Sequence, residues 1–266
     1  MTQYDFPIQY DVSLSSISGH LFDVTLYIKS PQHEGQVLCL PAWIPGSYMI
    51  RDFAKHLISL SAIDNQGKTL KVSKSDKQTW HVEPTIGPLT VKYQLYAYDL
   101  SVRGAYINDQ YGFFNGSNIF LAVQGQASSP CLLRINKAEN LFRNYRVSTT
   151  MSLLSQPTDQ NADLYEAENY AELIDHPVLM GEFDVLSFKI ADIDCELVFA
   201  GGHQSDMQRI ANDLSIVCQQ HIELFGRPAP IKRYVFMTLL TDSAFGGLEH
   251  RASTEGFTSY YDDLLV

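Results

Sequence analysis

The sequence predicts an α+β chain: an N-terminal antiparallel β-sandwich or saddle over 1–160, then the beginning of an α/β unit over 161–266. Three observations predict the two halves. From 8 to about 154 apolar residues recur with period two, the repeat of a half-buried strand. One stretch only, 207–225, repeats at three- and four-residue steps, as a helix with a single apolar stripe does. Directly after it, 234–240 is a nearly continuous apolar run with β-branched and aromatic members, which suits a strand covered on both faces.

The elements follow in order. Phe22, Val24, Leu26 and Ile28 share one face of a strand, with Asp23, Thr25 and Lys29 on the other. Further strands are expected at 37–40, 56–62, 78–82, 90–98, 119–123, 132–135 and 146–153, each bounded by Gly, Pro, Asn or Asp, the residues that turn a chain. So many short strands specify a sandwich or saddle. No fixed-period repeat is present, which excludes solenoids and propellers. The linker is expected at 156–163. Beyond it, strands at 185–191 and 195–200 lead into the helix, whose stripe is Met207, Ile210, Ala211, Leu214, Val217, Cys218, Ile222 and Phe225. Ser205 with Gln208 reads as its capping box, and Gly226 with Pro228 as its stop.

Composition narrows the function. With 266 residues, 45% hydrophobic and 18% charged, the chain can bury a full core without staples. Lys plus Arg is 19 against 30 Asp plus Glu, a net charge of -11, so no nucleic-acid partner and no anionic membrane surface is expected. Cationic ligands or metals suit it better. Cys39, Cys131, Cys195 and Cys218 stand too far apart for a zinc ribbon or redox pair and read as free buried thiols. The first nine residues lack both a basic start and an apolar core, and no apolar run approaches the ~18 residues of a membrane span, so a soluble, cytoplasmic protein is expected.

Chemistry is sought in the histidines first. None of the eight lies four residues from another, so the H-E-x-x-H zinc helix is not in the sequence, and no catalytic base can be named. His33-Glu34 comes closest, but Val37 stands at the second ligand position. Neither a phosphate-binding glycine loop nor a G-x-S-x-G elbow occurs. What remains is the polar stretch that follows the buried strand, Gly246-Gly247-Leu248-Glu249-His250-Arg251-Ala252-Ser253-Thr254, continuing as Glu255-Gly256-Phe257-Thr258-Ser259-Tyr260-Tyr261-Asp262-Asp263. On composition alone it is a solvated loop.

Several long runs carry a resemblance. Leu40-Pro41-Ala42-Trp43-Ile44-Pro45-Gly46-Ser47-Tyr48-Met49-Ile50-Arg51-Asp52-Phe53-Ala54-Lys55-His56, then Ser101-Val102-Arg103-Gly104-Ala105-Tyr106 and Gly112-Phe113-Phe114-Asn115-Gly116-Ser117, resemble the glycyl aminopeptidase family. So does the Gly-Gly-Leu-Glu-His-Arg run at 246–251. These are bacterial gluzincin zinc metallopeptidases that usually carry a PDZ domain. The resemblance implies a β-rich domain followed by a thermolysin-like one, zinc as cofactor, and peptides with a free amino terminus, small residues such as Gly or Ala first, as substrates.

It also implies site residues. Gly246, Gly247 and Glu249 match an edge-strand loop that holds the substrate's α-amino group, and Glu255 matches a helix-borne zinc ligand. In the family the H-E-x-x-H helix lies between these two motifs, whereas here Thr254 runs directly into Glu255. The expectation is that this segment is absent from the chain as written, through unseen residues or a true deletion, leaving it inactive alone, with no zinc of its own and a tendency to self-associate. The rival class is a non-catalytic β-sandwich that binds peptide or protein.

Overall fold

The computed structural model describes residues 5–138, 142, 144–154 and 161–259. The period-two pattern folds as the sequence predicts, into a β-rich lobe. Its largest sheet has eight strands, in the order Ser152–Leu153, Ala162–Ala167, Cys131–Asn136, Ile8–Ser16, Leu21–Ile28, Leu89–Tyr96, Leu57–Asp64 and Thr69–Leu70. Neighbours are antiparallel except Ile8–Ser16 and Cys131–Asn136, which run parallel. Two four-stranded sheets pack with it. One holds Arg146–Ser148, Val178–Gly181, Tyr111–Phe114 and Ala105–Ile107, the other Ala122–Val123, Gln36–Cys39, Thr79–Val82 and Val72–Lys74. The expected strand 119–123 is cut short, because Gly116–Ile119 forms a helical turn. The expected strand 146–153 is two strands in different sheets.

The change of architecture comes later than expected. Ala162–Ala167 and Val178–Gly181, both beyond 160, still pair within sheets of the first lobe. A new five-stranded sheet starts at Phe183, in the order Phe183–Ile190, Ile193–Ala200, Arg233–Thr241, Ser253–Ser259 and, at the edge, Gly246–Glu249. The apolar run 234–240 lies inside its central strand, which pairs parallel with both neighbours; up to 239 its burial alternates, Val235, Met237 and Leu239 enclosed in the shared core and Tyr234, Phe236 and Thr238 half-buried on the helix side. The linker expected at 156–163 falls largely outside the described residues.

One expectation about the chain after 245 is corrected. Residues 253–259 form a strand, not the start of a helix. Thr254 and Glu255 lie in its first half and pair with Phe236 and Met237. The alternation Ser253, Glu255, Phe257 inward against Thr254, Gly256, Thr258 is a period-two signal, short enough to be masked by its polar members.

The long helix Met207–Phe225 has the predicted bounds. Its cap lies one residue on from the Ser205 box: the Asp206 carboxylate accepts from the Arg209 amide at 3.0 Å. Ile210 and Ala211 are buried on the sheet, with Leu214, Cys218 and Ile222 partly covered, while Val217 and Phe225 of the stripe are exposed.

The two lobes share one core. Val235, Met237, Leu239, Leu248 and Phe257 pack in the same cluster as Phe22, Phe113 and Phe114 of the first lobe. The Phe113 and Phe257 rings meet edge to face at 5.4 Å across the junction, and burying such a side chain stabilises by about 1.5–3 kcal/mol. The five-stranded sheet therefore has two different faces, one fused to the first lobe and one facing the helix.

Candidate functional site

Among the described residues the edge strand Gly246–Glu249 has a hydrogen-bonded neighbour on one side only, Ser253–Ser259, with Leu248 opposite Glu255 and Glu249 opposite Thr254. Alternation along a strand then sorts the side chains by face. Leu248 is 1% exposed and belongs to the shared core, so Glu249 projects to the opposite, helix-side face, where it is exposed. Gly247, Thr254 and Gly256 floor a cleft of about 500 Å³ on that face, walled by Arg209 and Leu214 of the helix. Two adjacent glycines leave the strand without side-chain bulk, which lets a ligand's main chain come close.

The first lobe props this strand from behind. At Gly46 the backbone is left-handed, φ 82°, and a Cβ there would stand 2.6 Å from the Leu248 Cδ1. Gly46→Ala is therefore expected to cost about 1–2 kcal/mol from the left-handed backbone alone, and to displace Leu248. Thermal denaturation together with the Leu248 methyl shifts in NMR checks it; an unchanged melt and unchanged shifts would oppose it.

Glu255 lies on the other face, away from Glu249. Its carboxylate is fully buried and accepts from Asn115 Nδ2 at 3.0 Å, and His250 Nε2 stands 3.6 Å from the same oxygen. The ring's other nitrogen, Nδ1, is 3.2 Å from Asp175 Oδ1, and the Arg251 amide donates to Asp175 Oδ2. Asn115 also donates to the Val102 carbonyl at 2.7 Å. A polar chain thus crosses between the lobes, Asp175 and Asn115 from the first, His250 and Glu255 from the second.

Its titration follows from this geometry. Burial alone would lower His250, but the hydrogen bonds it donates to Asp175 and Glu255 and the charges of both outweigh it and raise the imidazole to about 9. Burial would raise Asp175, and the His250 and Arg251 contacts lower it on balance. Glu255 is raised by its complete burial, against the pull of His250, Asn115 and Arg103. We regard His250 as an imidazolium at neutral pH, because two carboxylates flank it.

Glu255 was expected as a zinc ligand. A catalytic zinc takes three protein ligands and an open position, whereas Glu255 and His250 offer two donors already engaged with Asn115 and Asp175. Among the described residues no three His, Cys, Asp or Glu side chains come together as a metal site. These residues do not fit a catalytic zinc. The expected pair, Glu249 and Glu255, is divided by the sheet itself. Sequence reasoning missed Asp175, which nothing in the local pattern marks; His250 was named only within the run that follows Glu249. Asn115 stands inside a run already singled out.

Comparison with known proteins fits this architecture. The family model described as the Peptidase M61 N-terminal domain matches residues 9–182. A crystal structure of an aminopeptidase N family protein from Idiomarina loihiensis is 41% identical, with a TM-score of 0.89, over 96% of this chain and 43% of that one. An M1 zinc metallopeptidase from Deinococcus radiodurans shares the fold alone, at 11% identity and a TM-score of 0.55, over 96% of this chain and 61% of that one. The chain therefore spans less than two thirds of either solved protein. Curated proteins give no match. The matched domain covers most of the chain and ends where the first lobe's sheets end, at 182, and on that ground the chain belongs to the M61 peptidase family.

Proposed function

We propose that this chain serves a zinc-dependent aminopeptidase and that Glu249 receives the substrate's α-ammonium group. The observation that carries the reading is the edge strand: an exposed carboxylate on Gly246-Gly247-Leu248-Glu249, on the open face of the sheet beside a cleft. A charge-assisted hydrogen bond from an ammonium to this carboxylate fixes which end of a peptide enters. Gly246 and Gly247 give the peptide main chain room along the strand. The -11 net charge draws a cationic terminus toward the protein.

The substrates of this reading are peptides with an unblocked amino terminus, small residues such as glycine or alanine first, as in the glycyl aminopeptidases; the small-residue preference and a PDZ domain rest on the resemblance. The zinc supplies Lewis-acid chemistry through residues other than those described, and the 266 residues by themselves, without H-E-x-x-H, are expected to be inactive. The related Deinococcus radiodurans metallopeptidase, in a mutant form, has been solved with a Tyr-Ser-Ala substrate, a peptide of the kind envisaged.

In the full-length protein, Glu249→Gln is expected to lower kcat/KM for an unblocked peptide by about 10- to 100-fold, the worth of one hydrogen bond to a charged group. Hydrolysis of an N-acetylated twin should stay negligible in both forms. Equal rates on the two peptides in the wild type, or an undiminished rate in the variant, would defeat the assignment. Peptide binding that persists without any chelator-sensitive hydrolysis would favour the non-catalytic binding module instead.

A further inference from the structure

We infer that His250 is a positioning residue for amino-terminus recognition, a latch that ties the edge strand to the first lobe through Asp175 and so holds Glu249 at a fixed place beside the cleft. The inference rests on the reading of Glu249 given above and adds a second, non-adjacent lobe to it.

An edge strand is held on one side only by main-chain bonds, and here those bonds go to Ser253–Ser259. The position of Glu249 must be fixed by what flanks it. On one side Leu248 seats against the tip of the first lobe at Gly46. On the other, His250 turns to the same inward face, its side chain 2% exposed, and reaches Asp175 at 3.2 Å. The His250 amide also donates to the Ser253 carbonyl at 2.8 Å, closing the hairpin, and Asp175 receives the next amide, that of Arg251, at 3.2 Å. Leu248 and His250 therefore bracket Glu249 and point inward while it points out. Asp175 belongs to the loop that follows the short helix Tyr170–Leu173 and lies 75 residues away in sequence from His250. A contact of that span does not arise from hairpin geometry.

The groups that face the imidazole are Asp175 with Arg251 at its rim, Glu255 with Asn115 and Arg103 behind it, and His176, whose ring also approaches Glu172 at 3.7 Å. The ring is held at both nitrogens, by Asp175 at Nδ1 and beside Glu255 at Nε2, so removing either end should loosen it. Loosening shows at Glu249 because a misplaced binding group loses its ligand steeply.

The test uses the full-length protein and calorimetric dissociation constants for Gly-Ala-Ala and its N-acetylated twin. His250→Gln is expected to weaken the unblocked peptide about tenfold and leave the acetylated one unchanged. Asp175→Asn removes the other end from the opposite lobe, is milder for folding, and should give the same selective loss. The double variant should be no worse than the worse single one, since both break one link. A merely structural role would weaken the two peptides alike or lower the melting temperature without changing their ratio, and that result overturns the latch. If the wild type does not distinguish the peptides, the Glu249 reading fails and the latch with it. If it does, and Glu249→Gln abolishes the distinction while both latch variants keep it, the latch alone fails.

Discussion

Glu255→Ala is expected to lower the stability of the chain by about 3–5 kcal/mol, the cost of removing one partner from a buried ion pair. Three features set the size. The carboxylate has no solvent exposure, so the replacement leaves His250 and the Asn115 amide facing a hole that solvent does not fill directly. The imidazolium then keeps Asp175 alone as counter-charge. The site lies where the two lobes share their core, between Phe257 and Leu248, so the local loss reaches the whole unit. By contrast Glu249→Ala removes an exposed side chain on the outer face and should stay within about 0.5 kcal/mol. Urea denaturation of the two variants beside the wild type decides the matter. Equal small losses would mean that Glu255 is not a structural member of the junction.

That contrast shows what the sequence could and could not reveal. The elements with long, clean periods were legible: the strand Leu21–Ile28, the helix Met207–Phe225 and the central strand Arg233–Thr241 lie where period and capping residues put them. The edge hairpin was not, because two short strands rich in glycine and polar residues read as a loop until their partners are known. The same blindness affected the site. Gly246, Gly247 and Glu249 were found through a motif. The separation of Glu249 from Glu255 depends on register, Leu248 opposite Glu255, which a sequence does not state. Asp175 joins His250 only through tertiary folding, and a single carboxylate 75 residues upstream carries no local signal. The late change of sheet at 182 has the same origin: Ala162–Ala167 and Val178–Gly181 look like any other strands, and only their partners assign them to the first lobe.

Stability should also fall as pH rises from about 6.5 to about 9, through His250. The folded chain holds this imidazole at about 9 against an ordinary 6.5, so it binds the proton more tightly than the unfolded chain. The contribution is complete below 6.5 and is lost as pH climbs through the folded value. At 1.36 kcal/mol per unit the loss is about 3 kcal/mol. Glu255 acts in the same direction, since its carboxyl is raised by burial, and Asp175 acts in the opposite one, its lowered value making stability fall only in acid. Because the stabilising charge is enclosed, added salt should change it little, unlike the exposed Lys189–Asp194 pair at 2.7 Å. Urea midpoints at pH 6, 7.5 and 9.5 for wild type and His250→Gln measure the effect. The wild-type midpoint should drop across this range and the variant, already weaker at pH 6, should change much less. Parallel curves for the two proteins would place the titrating group elsewhere and would deny His250 its charge at neutral pH, on which the tie between the lobes depends.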